Sequence, residues 1–202
     1  MIKGVICDLD GAYFLHGKEK FVKNIVEKYK VKEDDIRTVF FSSETVLDYK
    51  RGKITDAQYW KEFTDRLNIE TTQESLIQTL IEGYEQDERI VNLIKTLKSK
   101  TFQTIICSNN FPARVKGLND KFSFLENFTV KVFSYEVGKL KLEGFDMFDE
   151  VVKRSNLNID EILLFDNGSE NIAHAKAYGF ATIYYKKYLQ LVEDLERFDI
   201  RI

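Results

Sequence analysis

The residue types that are scarce in this chain already exclude several functions. Two cysteines cannot build the disulfide framework of a small secreted domain. Two histidines, neither with a Cys or His at ligand spacing, exclude a His-rich zinc site. One proline and ten glycines leave no Pro/Gly-rich linker, and no internal repeat or low-complexity tract is found. Long apolar runs are missing too. Those at Thr104–Cys107 and Ile162–Phe165 have strand length, far below the ~20 residues that span a bilayer. The segment Met1–Asp8 is too short and too soon acidic for an export signal. No charge predominates either: 30 Lys+Arg against 33 Asp+Glu leave a net −3. There is no basic surplus to neutralise a phosphate backbone. These absences predict a soluble cytoplasmic protein, monomer or homodimer, with neither a nucleic-acid nor a membrane partner.

What is present is a large apolar fraction, 44% of 202 residues, with 16 Phe and 10 Tyr. A chain of this length can bury an aromatic core without staples. Short runs apolar on both faces predict strands at Ile2–Cys7, Phe102–Cys107, Phe128–Phe133, Ile162–Phe165 and Ala181–Tyr185. Helical patterns separate the later ones: Asp87–Ser99, Phe145–Ser155 and Ser169–Tyr178. Buried strands alternating with helices predict an α/β fold, a three-layer, Rossmann-like parallel sheet. Residues 15–84 break the rhythm. They show no strand pattern but four helical ones: Phe21–Lys30, Asp34–Phe41, Thr55–Leu67 and Thr72–Tyr84. The expected organisation is an α/β core of residues 1–14 and 85–202, interrupted by an α-helical cap of residues 15–84. Such a cap would lie over the carboxyl edge of the sheet, where parallel sheets bind ligands. An amphipathic pattern over Tyr188–Phe198 predicts a packed terminal helix.

Polar clusters follow four of these elements. Asp8-Leu9-Asp10-Gly11 projects two carboxylates the same way from an extended strand end, and Gly11 permits a sharp turn. Ser108-Asn109-Asn110 offers a hydroxyl, an amide and backbone N–H groups suited to a phosphate oxyanion. Lys139 and Lys141 lie ahead of a helix in the Tyr135–Gly144 segment and could neutralise such a group. Asp166-Asn167-Gly168-Ser169-Glu170 follows the apolar run Ile162–Phe165. Asp166 and Glu170 could converge on one divalent cation, and oxygen donors suit magnesium better than zinc. Singly, each cluster also reads as an ordinary turn or helix cap. Together, on one sheet edge and in this order, they point to phosphoryl chemistry.

In this set the sequence resembles the haloacid dehalogenase-like hydrolase superfamily, over nearly the whole chain. Its four motifs match as Asp8-Leu9-Asp10-Gly11, Ser108-Asn109, Lys141, and Asp166 with Glu170, and the helical insert resembles the family's C1-type cap. Tyr49–Trp60 is similar to a cap segment common in the subfamily. Departures are Ala12, Leu142 after the lysine in place of the usual proline, which keeps Lys139 open as the alternative to Lys141, and Asn167 at the position often held by a second Asp. The resemblance implies Asp8 as nucleophile and Asp10 as acid and base. It implies Ser108, Asn109 and Lys141 around the phosphoryl oxygens. Mg2+ would be held by Asp8, the carbonyl of Asp10 and Asp166, with Glu170 assisting. An acid at position 10 separates phosphatases from the superfamily's dehalogenases, because a halide leaves without a proton. The implied activity is hydrolysis of a small phosphorylated substrate. The alternatives are a phosphomutase of the same fold and a non-catalytic binding or regulatory relative.

A few other residues invite a role but have plainer readings. Cys7 and Cys107 precede Asp8 and Ser108 as buried thiols. Lys50 and Arg51 could meet an anionic substrate but read first as solvated cap surface. Tyr59, Trp60 and Phe63 read as cap core, and His16 and His174 as surface or satisfied positions.

Overall fold

The structure, a computed structural model, describes residues 1–202. Its seven strands are β1 (Gly4–Cys7), β2 (Phe14–Leu15), β3 (Glu85–Gln86), β4 (Gln103–Ser108), β5 (Val130–Phe133), β6 (Ile162–Asp166) and β7 (Ala181–Tyr184). Five helices precede β3: α1 (Gly17–Tyr29), α2 (Glu33–Arg37), α3 (Glu44–Lys50), α4 (Asp56–Leu67) and α5 (Gln73–Glu82). The remainder are α6 (Glu88–Ser99), α7 (Pro112–Phe122), α8 (Ser134–Val137), α9 (Asp146–Ser155), α10 (Ser169–Tyr178) and α11 (Tyr188–Glu196).

Five strands form one sheet in the order β5-β4-β1-β6-β7, every pairing parallel. This is the predicted Rossmann-like sandwich. Alternation along each strand sends side chains to two cores. Val5, Cys7, Ile106, Leu163 and Phe165 join the larger cluster with α6 and α11. Ile6, Ile105, Cys107 and Leu164 face the other way, onto Met147, Phe148 and Val151 of α9 and Ala175 of α10. The two free thiols are therefore buried on opposite faces of the sheet. Because the strands are parallel, Cys7 is level with Ile106 and Phe165, so the residues following β1, β4 and β6 emerge at one edge.

Helices α1–α5 lie between β2 and β3, which pair antiparallel with Phe14 opposite Gln86 and Leu15 opposite Glu85. The chain thus leaves and re-enters the core through a two-stranded ribbon. Sequence patterning showed no strand here, because two-residue strands carry no periodicity. Helix α4 begins as expected, with Thr55 and Gln58 forming a reciprocal capping box. The helix expected over Asp34–Phe41 is α2 followed by a π-type turn, Thr38–Ser42, and α3 was not anticipated. Helix α7 carries the chain's one proline at its first position, where a missing N–H costs nothing.

Aromatic packing ties the insert to the core. Tyr49 stacks on Tyr59 at 4.5 Å and on Phe111 at 4.5 Å, and Phe111 precedes α7. Trp60, Tyr59 and Phe63 are buried together with Phe21 and Phe40, as expected of a cap core.

Candidate active site

Asp8 stands just beyond β1, its N–H bonded to the Phe165 carbonyl at 3.3 Å. The chain then reverses: Phe14 N–H reaches the Leu9 carbonyl at 2.7 Å and Gly11 N–H the Phe14 carbonyl at 2.9 Å. Gly11 has φ +78°, and any side chain there would run into Asn167. Glycine is needed on both counts.

Beside Asp8, Lys141 Nζ lies 2.9 Å from Asp8 Oδ1 and 2.9 Å from Asp166 Oδ2. Lys141 is 2% exposed and Asp166 0%, whereas Lys139 is exposed. The third-motif lysine at the site is therefore Lys141. Burial works against charge on its ammonium, but Asp8 and Asp166 outweigh it and hold the group above its ordinary range. Burial pushes the Asp8 carboxyl up, opposed by Lys141 and reinforced by Asp166 and Asp10. Asn109 Oδ1 accepts from Lys141 N–H at 2.8 Å, so the second motif positions the third. Ser108 closes β4 beside them, 2% exposed.

Asp166 is fixed by Gly168 N–H at 2.7 Å and by Asn171 Nδ2 at 3.1 and 3.0 Å from its two oxygens. Glu170 is exposed and makes no bond to Asp166; the neighbouring Asn171, one residue further round α10, reaches that acid. Asn167 is also exposed. The Asp10 carboxylate does not share the Lys141 ammonium with Asp8 and Asp166. It pairs with Arg114 Nη2 and with Lys18 Nζ, the latter at 2.7 Å. No group of three or more His, Cys, Asp or Glu side chains is disposed to hold a metal ion. Of the four acids expected around a cation, two side chains, Asp8 and Asp166, come together.

Arg114, Lys18, Tyr84 and Asn171 were missed from sequence. Arg114 had a signal: it falls three residues after Phe111 and four before Leu118, on the apolar face of α7. It is 1% exposed, its guanidinium lies 4.8 Å over the Tyr84 ring, and its Nε has no hydrogen-bond partner. Burial pushes the Asp10 carboxyl up, but Arg114 and Lys18 outweigh it and hold it well below the usual carboxylate range. Lys50, at the end of α3, lies within the electrostatic reach of the same group. Burial, Lys18 and Arg114 together push its amine down to about 8, against the pull of Asp10.

The segment around Lys50 is seated on the core. Ser134 Oγ donates to the Lys50 carbonyl at 2.6 Å and accepts from Asn110 N–H at 2.9 Å. Arg51 forks onto Glu143, Nε to Oε1 at 3.0 Å, and Glu143 accepts from Leu140 N–H at 3.0 Å. Gly52, φ +70°, presses against the Tyr135 carbonyl. Arg51 and Lys50 are therefore not solvated cap surface. Arg51 braces the loop that carries Lys141, and Lys50 lies within the electrostatic reach of Asp10. His174 stacks on Phe145 at 4.6 Å and contacts the Gly144 carbonyl at 2.8 Å, away from the reactive groups.

The parallel sheet with its helical insert has the architecture that the haloacid dehalogenase-like resemblance implies. Known proteins agree. A HAD family enzyme of Bacteroides thetaiotaomicron, solved with magnesium and inorganic phosphate, superposes with a TM-score of 0.80 at 18% identity, covering 92% of this chain and 95% of that one. A predicted HAD-like family hydrolase of Porphyromonas gingivalis superposes with a TM-score of 0.78 at 21% identity over 98% of each chain. In sequence, a D-ribitol-5-phosphate phosphatase of Bacteroides thetaiotaomicron is 25% identical over 189 residues, 90% of this chain and 91% of that protein. No family model matches. The chain has the fold of these haloacid dehalogenase-like structures, and no helix is long and apolar enough to cross a membrane.

Proposed function

We propose that the chain is a phosphatase that hydrolyses a small phosphorylated metabolite through an aspartyl-phosphate on Asp8. The observation that carries this reading is Lys141 bridging Asp8 and Asp166 at the sheet edge, with Asp10 two residues on. Similarity to a sugar-alcohol phosphate phosphatase and to a structure holding magnesium and phosphate supports it.

The donor set fits magnesium. Two buried carboxylates face one ammonium, leaving a negative excess, and the available ligands are hard oxygens. Asp8, the main-chain carbonyl of Asp10 and Asp166 would hold the ion. When bound it offsets the repulsion between the Asp8 carboxylate and the phosphate dianion. The chain's own groups do the rest. An Asp8 oxygen attacks phosphorus and the P–O bond to the alcohol breaks. Asp10 supplies the proton that the leaving oxygen takes, which requires the bound substrate to draw Arg114 and Lys18 off the carboxylate they hold ionised. Asp10, now a carboxylate, removes a proton from water as it attacks phosphorus. The P–O bond to Asp8 breaks and inorganic phosphate departs. Ser108, Asn109 and Lys141 stabilise the charge on the equatorial oxygens. In this reading residues 15–84 act as a cap that excludes bulk water, and residues 1–14 and 85–202 form the catalytic core.

The test is phosphate release from a panel of phosphomonoesters, with magnesium and with chelator. The expected result is metal-dependent turnover that Asp8→Asn lowers by more than about a thousandfold. Metal-independent turnover, or turnover surviving in Asp8→Asn, overturns the mechanism.

A further inference from the structure

Asp10 has more cationic partners than one carboxylate requires. Arg114 and Lys18 both pair with it, and the Lys50 amine, which has no ion pair of its own, lies near enough to feel both cations and Asp10. Three cations gathered around one carboxylate repel one another, most strongly at Arg114, the one that is fully buried. An ion pair serving only the fold needs one of them. Hydrogen-bonding capacity is left over as well. Arg114 Nε is buried without a partner, and its guanidinium lies over the Tyr84 ring. Buried donors of this kind are costly unless a ligand satisfies them. The place itself is informative. It adjoins Asp10, the group assigned to the leaving oxygen, and two of its cations, Lys18 and Lys50, come from the insert.

We propose that Lys50, Arg114 and Lys18 form a receptor for a second anionic group, a carboxylate or a second phosphate, on the leaving-alcohol half of the substrate. The proposal rests on the phosphatase reading and deepens it. Asp10 contacts the receptor cations directly and must also reach the ester oxygen, so the second anion lies only a few atoms from the phosphoester. The substrate class is a short phosphomonoester with two anionic ends. Lys50 is the specificity-determining residue, because it comes from the insert and is not tied to a carboxylate. Arg114 and Lys18 are shared between Asp10 and the incoming group.

The experiment compares esters matched in size and differing in charge: 2-phosphoglycolate, ethylene glycol bisphosphate and neutral 2-hydroxyethyl phosphate, with p-nitrophenyl phosphate as a general phosphatase substrate. Phosphate release is measured with magnesium for the unaltered protein, Lys50→Met and Lys50→Arg. A charge-assisted contact predicts that kcat/KM favours at least one anionic ester over the neutral one by about tenfold or more. The preference shrinks in Lys50→Met, chiefly through KM, and returns in Lys50→Arg. The anionic ester that is preferred identifies the group as carboxylate or phosphate. Equal kcat/KM for charged and neutral esters overturns the receptor while leaving the phosphatase reading intact. So does a Lys50→Met variant that loses equally on both, since a merely structural role has that signature. Failure to hydrolyse any ester, p-nitrophenyl phosphate included, removes the phosphatase reading and the receptor with it.

Discussion

On one side of the Asp8–Gly11 turn a single ammonium, Lys141, stands between two carboxylates. On the other side, Lys18 and Arg114 pair with one carboxylate, Asp10, and Lys50 lies within its electrostatic reach. The first cluster is built from β1, β6 and the loop before α9, all core elements. The second draws on the insert and α7, and is closed over by α3. Opposite imbalances in these two clusters, the first buried and the second partly exposed, assign different work to each. The acid-rich half suits a divalent cation and the phosphoryl group, and the cation-rich half suits the remainder of an anionic substrate. Neither excess would persist in a merely structural ion-pair network, where buried charges are compensated locally.

Removing the lone cation of the acid-rich half should produce the largest effect. Lys141→Met leaves Asp8 and Asp166 buried against each other. A loss of about 3 kcal/mol in denaturant unfolding is expected, together with about a thousandfold loss of turnover. Magnesium should raise the melting temperature of this variant more than that of the unaltered protein, and equal shifts would break the assignment. Next, Asn171→Ala frees Asp166 from its side-chain anchor and should cost about 10–100-fold in turnover or in the magnesium concentration required. The cation-rich half should respond to pH. Burial and two neighbouring cations hold the Lys50 amine near 8, so it is charged below that pH and neutral above. For an anionic ester, kcat/KM should fall by about tenfold as pH rises through this point, and Lys50→Arg should remove the fall. A profile unchanged by that substitution would contradict the role. The smallest effect is expected at Glu170. Exposed and unpaired with Asp166, it should tolerate Glu170→Gln within about twofold, and a larger loss in the magnesium titration would restore it to the metal site.

The parallel sheet was legible in the sequence because its strands are apolar on both faces, a pattern that survives errors at strand ends. Ile2–Cys7, for example, narrows to Gly4–Cys7. The pair Asp8 and Asp10, Ser108, Asn109, Lys141 and Asp166 was legible because parallel strands deliver their following residues to one edge. What stayed hidden depended on side-chain direction. Glu170 and Asn171 are adjacent in sequence, but the helical turn presents only Asn171 to Asp166. Acid content pointed to Glu170, and it is Asn171 that bonds Asp166. Arg114 was hidden because a helix of Arg, Lys and Asn around few apolar positions reads as surface. Its place between Phe111 and Leu118 was the clue. Lys50 and Arg51 were indistinguishable as neighbours, and the fold separates them: Arg51 is spent on Glu143, Glu44 and Asp48, while Lys50 lies within the electrostatic reach of Asp10. The ribbon of β2 and β3 left no pattern at all.

The acid-rich half carries the central claim, that Asp8 is the phosphoryl acceptor, and rapid acid quench of a magnesium-containing reaction followed by peptide mass spectrometry tests it most directly. The prediction is a phosphoryl group on Asp8, formed within one turnover and absent from Asp8→Asn. Phosphate release with Asp8 unlabelled throughout, or with the label on another residue, would contradict it.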